Sequence, residues 1–264
     1  VLGHRGGHRG VAGVGLAAVA IRELDAGLAT LPHREVAVGE HLHRRARVVA
    51  VEFAARAAIP VINALTLHEH PCQALADVFT IEEEFGSLHD RVVTFVGDGN
   101  NVFHSFALVA AGQGATVRLA HPPGYGPDPA VVATATALAL GSGGKLEIGH
   151  DPRAAVDGAD VVYTDVWASM GQEAEAEARR AAFEAYQVNA ALLAVAGPAA
   201  RVLHCLPAHR GEEITSGVMD GPQSLIFRQS ENRLHVQKGL LVEILGDPGD
   251  PSPVIGAADS AGTA

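Results

Sequence analysis

The sequence is poor in basic residues, poor in cysteine and free of long apolar runs. It holds 19 Lys and Arg against 30 Asp and Glu, for a formal net charge of −11 at pH 7. Because binding to phosphate backbones needs a basic face, we expect no nucleic-acid partner. No apolar run is long enough for a bilayer, and the first residues lack the apolar segment of a secretory signal, so we expect no membrane association. The two cysteines, Cys72 and Cys205, are expected to stay reduced.

The composition and length describe a folded protein of one or two domains. Hydrophobic residues make up 48% and charged residues 19% of the 264 positions, which is ordinary for a globular protein and not for a disordered one. A chain of this length forms one large or two modest α/β domains. The composition therefore favours a cytoplasmic protein that acts on small molecules.

Residues 1–45 carry no pattern that we can assign to a site. Glycines are scattered among histidines and arginines, and the apolar positions keep neither a strand nor a helix period. A phosphate-binding glycine loop follows a strand and opens a helix, and neither is indicated here. The histidines lack the spacing and the carboxylate partners of a metal site.

From residue 91 onward, strands and helices alternate regularly. A short strand at Ile59–Asn63 and a helix from Pro71 come before this part. Such alternation predicts a parallel sheet with helices on both faces. The predicted strands are Arg91–Val96, Ala115–Ala120, Lys145–Ile148, Asp160–Thr164 and Arg201–His204.

Polar side chains follow three of these strands, at 98–101, 165–170 and 204–207. Ligands of parallel sheets bind outside the carboxyl ends of the strands, so these loops can converge on one site. Taken singly, Cys205 could be a small buried hydrophobe, Asp165 a turn or helix cap, and Ser169 and Met170 part of a simple turn. The clustering of polar groups at three strand ends favours a site.

The run Gly97-x-Gly99-x-x-Val102 imitates a dinucleotide fingerprint but lacks its third glycine. The next strand also does not end in an acidic residue, as a ribose-binding site would require. The adjacent Asn100 and Asn101 suit a small polar ligand better than a nucleotide.

Two further candidates lie in the first turns of predicted helices. His70 precedes Pro71, where the positive end of the helix dipole would keep its imidazole neutral, and Gln73 follows in the same turn. The last helix is predicted from Ser230 to Leu245, which places Arg233 in its first turn. On spacing alone, His70 is an N-terminal cap and Arg233 faces solvent.

Five motifs together resemble the ornithine carbamoyltransferase family, part of the aspartate/ornithine carbamoyltransferases. They stand in the family's order and at its spacing, over about residues 52 to 245. They are Pro60-Val61-Ile62-Asn63, His70-Pro71-Cys72-Gln73-x-Leu75-x-Asp77, Gly97-Asp98-Gly99-Asn100-Asn101, Asp165-x-Trp167-x-Ser169-Met170-Gly171-Gln172-Glu173 and His204-Cys205-Leu206-Pro207.

The resemblance implies transfer of the carbamoyl group of carbamoyl phosphate to the δ-amine of L-ornithine, giving citrulline and phosphate. His70 and Arg233 would contact the carbonyl oxygen, and Gln73 would hold the carbamoyl amide. Cys205 and Leu206 would lie at the δ-nitrogen, with Asp165 orienting the thiol. Asn101, Asp165, Ser169 and Met170 would hold the α-amino and α-carboxylate groups. The family uses no metal or organic cofactor and forms trimers or multiples of trimers.

The same resemblance implies two Rossmann-like parallel-sheet domains, of which the first is incomplete, and a C-terminal helix that returns to the first domain. We expect a partial carbamoyl-phosphate domain at 1–72, with 1–45 unmatched to the family, and an ornithine-binding domain at 73–228. The C-terminal helix would occupy 229–246, and a loose tail 247–264.

One family feature is missing from the printed sequence. The family's Ser-x-Arg-Thr loop grips carbamoyl phosphate, and no serine precedes Ser87. One hypothesis is that residues 1–45 arise from a shifted reading frame or gene start. The alternative function is a catalytically inactive homologue that binds ornithine or a partner subunit. A transferase for a related amine is disfavoured by the Ser169-Met170-Gly171 loop.

Overall fold

The computed structural model describes residues 51–57, 60–168 and 175–245. Residues 1–45, with the reading-frame hypothesis, and the tail 247–264 lie outside this part of the chain, as do Ser169 and Met170. Residues 51–56 are helical. No helix in the described ranges is both long enough and apolar enough to cross a membrane.

The centre of the fold is a five-stranded sheet in which every neighbouring pair is parallel. Its spatial order is β3-β2-β1-β4-β5. The chain therefore adds strands on one side of β1 as far as β3 and then crosses to the other side of β1 for β4 and β5. The prediction of a parallel α/β sheet is confirmed, and each predicted strand lies within a residue of an observed one. The strands are β1 Val92–Val96, β2 Thr116–Ala120, β3 Lys145–Gly149, β4 Val161–Thr164 and β5 Arg201–His204.

Eight α-helices and one short 3₁₀ helix, Glu184–Tyr186, connect or flank these strands within the residues the structure describes from 71 onward. Several begin at a side chain that accepts hydrogen bonds from the first free N–H groups, which is how Asn100, Asp128 and Asp151 fix the starts of α2, α3 and α4. The helices are α1 Pro71–Phe85, α2 Asn101–Gly112, α3 Pro129–Ser142, α4 Pro152–Val156, α5 Ala176–Phe183, α6 Ala190–Ala196, α7 Ser216–Met219 and α8 Ile226–Leu245.

The two faces of the sheet are buried under separate sets of apolar side chains. Phe95 and Tyr163 point to one face, where they pack with Phe103 and Phe106 of α2. Val96, the neighbour of Phe95, points to the other. Since successive side chains of a strand alternate between faces, a sheet covered twice needs nearly continuous apolar strands such as Val92–Val96, in which Thr94 is the one polar residue.

Helix α8 returns to α1, as the family resemblance implies. Leu240 of α8 packs with Cys72 and Leu75 of α1, and Ile62 from the chain before α1 joins this small cluster. The C-terminal helix therefore joins the sheet domain to the segment that precedes it.

Two sequence predictions are wrong at this end of the molecule. Residues 60–63, predicted as strand, have no ladder partner among the described residues, and a strand needs a neighbour to pair its backbone groups. Helix α8 begins at Ile226, where Ser224 Oγ accepts from the Ile226 N–H over 3.4 Å. Ser230 lies inside the helix and does not cap it. Arg233 consequently lies well beyond the first turn.

Candidate active site

The ends of β4 and β5 bring Asp165 and Cys205 into direct contact. The Cys205 thiol donates to Asp165 Oδ1 over 2.9 Å, as neighbouring parallel strands allow. Burial and the charge of Asp165 raise the pKa of the Cys205 thiol well above its ordinary value. The group is therefore a neutral hydrogen-bond donor and not a thiolate nucleophile.

Asp165 itself is buried and surrounded by neutral donors. Besides the thiol, Oδ1 accepts from the backbone N–H of Val166 over 2.8 Å, and Oδ2 accepts from Asn100 Nδ2 over 2.7 Å. Asn100 also caps α2, because its Oδ1 accepts from the N–H groups of Val102 and Phe103. The carboxylate is thus held in place by hydrogen bonds, while its negative charge has no cation among these partners.

The two adjacent asparagines have different partners. The family motif points to Asn101, whereas the side chain that reaches Asp165 is that of Asn100. Asn101 Nδ2 donates to the backbone carbonyl of Thr66 over 2.7 Å. The position of Asn100 between a strand and a helix could have indicated that it caps the helix. Its hydrogen bond to Asp165, 65 positions away, cannot be predicted from the local sequence.

His70, Gln73 and Arg233 form a second group, at the start of α1. Gln73 Oε1 accepts from Arg233 Nη1 over 2.5 Å, across 160 positions of sequence. Gln73 is only 1% exposed, whereas Arg233 is half-buried. Gln73, in the first turn of α1, therefore contacts Arg233, which lies inside α8, and His70 directly precedes α1.

The imidazole of His70 has a defined proton position. Nδ1 lies 3.1 Å from the carbonyl oxygen of Ala64, which can only accept, so the proton of the neutral ring is on Nδ1. Burial and then Arg233 lower the pKa of His70, against smaller raising effects of the Ala64 bond and of Asp165. Burial is thus the leading cause that favours the neutral ring, and the helix dipole named in the sequence prediction is not among the causes. Neutral Nε2 is then an acceptor, so donation to a carbonyl oxygen requires the imidazolium form.

His204 supports the loop that follows it and does not face a ligand. Its side chain is fully buried, Nδ1 accepts from the Leu206 N–H over 2.9 Å, and Nε2 lies 3.1 Å from Glu213 Oε1. Because Nδ1 accepts, the proton is on Nε2 and is donated to Glu213. These bonds hold Leu206 in a left-handed conformation, with φ of 56°.

Two groups of side chains have ligand atoms close enough together to consider a metal ion. In Asp165, His204 and Cys205, both ring nitrogens of the histidine are already engaged and the thiol is protonated. In the second group, His209, Glu212 and Glu213, Glu213 Oε1 accepts from His204 and from the His209 backbone. The first arrangement therefore lacks the free, deprotonated donors that a metal requires, whereas in the second Glu213 Oε2 has no hydrogen-bond partner in the described part of the chain.

One surface cavity of about 380 Å³ lies elsewhere, between α6 and α7. Its lining is mostly small and apolar, and it includes none of the strand-end residues. The chemistry-bearing side chains therefore mark the candidate site better than this cavity does.

Comparison with known proteins matches two consecutive parts of this chain to two domains of one family. The family model for the aspartate/ornithine carbamoyltransferase Asp/Orn binding domain matches residues 89–244. The model for the carbamoyl-P binding domain of the same family matches residues 33–83. The second match starts upstream of residue 45, the point up to which the sequence analysis found no family resemblance.

Curated relatives and solved structures agree with these matches. The ornithine carbamoyltransferase of Gloeobacter violaceus is 55% identical over 74% of this chain and 62% of that protein. That of Symbiobacterium thermophilum is 53% identical over 82% of this chain and 65% of that protein. The solved ornithine carbamoyltransferase of Pyrococcus furiosus aligns with a TM-score of 0.73 at 43% identity, covering 90% of this chain and 82% of that one. The chain spans less than two thirds of the length of these curated relatives.

Proposed function

Because the chain belongs to the aspartate/ornithine carbamoyltransferase family, we propose that it transfers the carbamoyl group of carbamoyl phosphate to the δ-amine of L-ornithine. The products would be citrulline and phosphate. The relatives at 53–58% identity all carry the ornithine carbamoyltransferase name, which supports ornithine over aspartate. The proposed activity is that of the curated relatives, of whose length this chain spans less than two thirds.

The observation that carries the choice of substrate is the environment of Asp165. A buried carboxylate whose observed partners are two neutral N–H donors and a thiol retains an uncompensated negative charge. An amino group of ornithine would be attracted to that charge, whereas the carboxylate of aspartate would be repelled. Cys205, as a neutral thiol beside Asp165, would orient the δ-amine and would not attack the substrate itself.

The second group of residues supports the carbonyl end of the reaction. The lone pair of the δ-amine would form the new N–C bond, and the C–O bond to phosphate would break with its electron pair leaving on phosphate. The amine proton would pass to the departing phosphate. Arg233 and His70 would stabilise the negative charge on the carbonyl oxygen in the tetrahedral intermediate. That charge favours the imidazolium form of His70, the form in which Nε2 can donate.

The remaining assignments are proposals from the family resemblance. Gln73 would hold the carbamoyl amide, and Leu206 would offer its backbone carbonyl to the δ-nitrogen. Asn101, Ser169 and Met170 would hold the α-amino and α-carboxylate groups of ornithine. We also propose the domain limits given above, a trimeric assembly and a cytoplasmic location, and the reaction as written requires no cofactor.

The test is an assay of the purified chain for citrulline, with ornithine or aspartate as the carbamoyl acceptor. We expect turnover with ornithine and little with aspartate. Calorimetry with ornithine alone examines the amine end separately. Ornithine binding without turnover would favour the inactive homologue, in which the missing Ser-x-Arg-Thr loop leaves the phosphate end incomplete. Light scattering on the same sample would measure the trimer.

A further inference from the structure

Asp77 is a fully buried carboxylate that accepts three hydrogen bonds from three parts of the fold. Oδ1 accepts from Gln73 Nε2 over 2.7 Å and from Gln229 Nε2 over 2.6 Å, and Oδ2 accepts from the Tyr163 hydroxyl over 2.8 Å. These donors belong to α1, α8 and β4. A buried charge is costly unless such bonds compensate it, so the position needs an explanation beyond packing.

The carboxylate decides which way the Gln73 amide faces. An ionised carboxylate can only accept, so Gln73 must turn its NH₂ toward Asp77 and its carbonyl oxygen the opposite way, toward Arg233. Arg233, which can only donate, favours the same orientation from the other side, so Asp77 and Arg233 together hold the amide against a half-turn that would exchange donor for acceptor. We propose that Asp77 is a positioning residue, which fixes Gln73 so that it presents an acceptor oxygen to the NH₂ group of a carbamoyl substrate.

The same carboxylate fixes a second amide at the other end of the site. Gln229 donates to Asp77 through Nε2, so its Oε1 is left to accept from the backbone N–H of His204 over 2.9 Å. His204 directly precedes Cys205 in the chain. The charge of Asp77 therefore determines which atoms donate and which accept in two amides. One is that of Gln73, beside Arg233, and the other is that of Gln229, beside the residue that precedes Cys205.

The ionised state that this role needs is available at neutral pH. Burial raises the pKa of Asp77 to about 6, with the bonds from Gln229, Gln73 and Tyr163 and the charge of Arg233 opposing the rise. Below that pH a protonated Asp77 would offer a donor to one of its partners and release the constraint on the amides. The inference rests on the proposed function, because it names the carbamoyl group as what Gln73 meets.

The experiment measures amide orientation and ligand affinity separately. Side-chain amide signals of ¹⁵N-glutamine-labelled protein at pH 7.5 would be recorded for the wild type, Asp77→Asn, Tyr163→Phe and Gln73→Leu, the last of which assigns the Gln73 signal. We expect Asp77→Asn to shift the Gln73 signal strongly. Tyr163→Phe removes a donor from the same carboxylate without touching either amide, so it should leave that signal nearly unchanged.

Affinity is then measured by calorimetry with phosphonoacetamide, a stable carboxamide analogue of carbamoyl phosphate. We expect Asp77→Asn to weaken binding about tenfold, the effect of one net hydrogen bond, and Tyr163→Phe to weaken it much less. In a Gln73→Leu background, Asp77→Asn should cause no further loss, because its effect passes through Gln73.

The outcomes separate the two proposals. An unmoved Gln73 signal in Asp77→Asn, or an equal further loss of affinity in the Gln73→Leu background, would show that Asp77 is merely structural. If the wild type does not bind phosphonoacetamide, the proposed carbamoyl site fails. The amide signals of the ligand-free protein still decide whether Asp77 orients Gln73.

Discussion

The backbone N–H of Leu206 donates to Nδ1 of His204 over 2.9 Å, which fixes the imidazole proton on Nε2, facing Glu213. A histidine in a motif next to a cysteine invites a catalytic interpretation. Here the ring is fully buried and connects two turns of the chain, and it shapes the loop that carries Cys205.

Glu213 should therefore be needed for stability. Glu213→Leu leaves Nε2–H of His204 and the backbone N–H of His209 without their acceptor, and we expect a loss of about 2 to 4 kcal/mol in the free energy of unfolding. Urea denaturation measures it. Glu213→Gln keeps an acceptor oxygen in the same place and should lose about 1 kcal/mol. Equal losses in the two variants would contradict this role.

Cys205 should react slowly with thiol reagents. Each unit of pKa lowers the thiolate fraction tenfold, so in a Cys72→Ser background we expect Cys205 to react with a disulfide reagent at pH 8 more than about ten times more slowly than free cysteine. Asp165→Asn removes the charge that helps to raise the pKa of the thiol and should speed the reaction. A reaction in the unmodified site as fast as that of free cysteine would argue for a nucleophilic role.

Catalytic activity should depend on an N–H donor at Nε2 of His70, the ring nitrogen that does not face Ala64. His70→Ala is expected to lower kcat/KM for carbamoyl phosphate by about 10² to 10³. His70→Gln places an N–H near the position of Nε2 and should retain more activity than His70→Asn, whose amide mimics Nδ1. Steady-state kinetics of the three variants decides this. Equal activity of the Gln and Asn variants would mean that Nε2 does not contact the reacting carbonyl.

His104 predicts a dependence of stability on pH. Its Nε2 accepts from the backbone N–H of Asp128 over 3.0 Å, and Nδ1 faces the carbonyl of His68. Burial is the main cause that lowers the pKa of His104 below 6.5, so the unfolded chain binds the proton more readily. The stability that this neutral ring contributes is complete above pH 6.5 and is lost as the pH falls below that value.

The measurement compares the wild type with His104→Gln, so that other titrating groups, including Asp77 with its raised pKa, cancel in the difference. We expect the difference in unfolding free energy to be constant between about pH 7 and 8. Below that range it should shrink, by at most about 1.4 kcal/mol per pH unit. A difference that stays constant down to pH 5 would show that the pKa of His104 is the same in the folded and unfolded protein.

Much of the fold could be predicted from local patterns. Nearly continuous apolar strands such as Val92–Val96 and caps such as Asp128 identify the elements, and their alternation identifies the parallel sheet. Where the prediction was wrong, local patterns were ambiguous. The apolar run at 60–63 looks like a strand but has no partner in the described part of the chain, and Ser230 looks like a cap although it lies inside α8.

The sequence predicted which residues belong to the candidate site but not which of them contact one another. The motifs pointed to Asp165, Cys205, His70, Gln73 and Arg233, and the structure brings them into two contacting groups. It also adds Gln229, for which no local pattern gave a role, and the contact of Asn100 with Asp165. Asp77 lies four residues after Gln73 in the same helix, so helical spacing alone indicates their contact.

The sequence by itself determined the parallel α/β layer and the strand ends at which polar side chains collect, since both follow from hydrophobic periodicity and chain order. Only the tertiary structure decided which atoms donate and which accept: the proton position on His70, the partner of Asp165 and the orientation of the Gln73 amide. These depend on contacts between residues that are far apart in the chain, as Gln73 and Arg233 are. Hydrogen bonds of this kind are directional, so their polarity is fixed only when the packed elements bring both partners together.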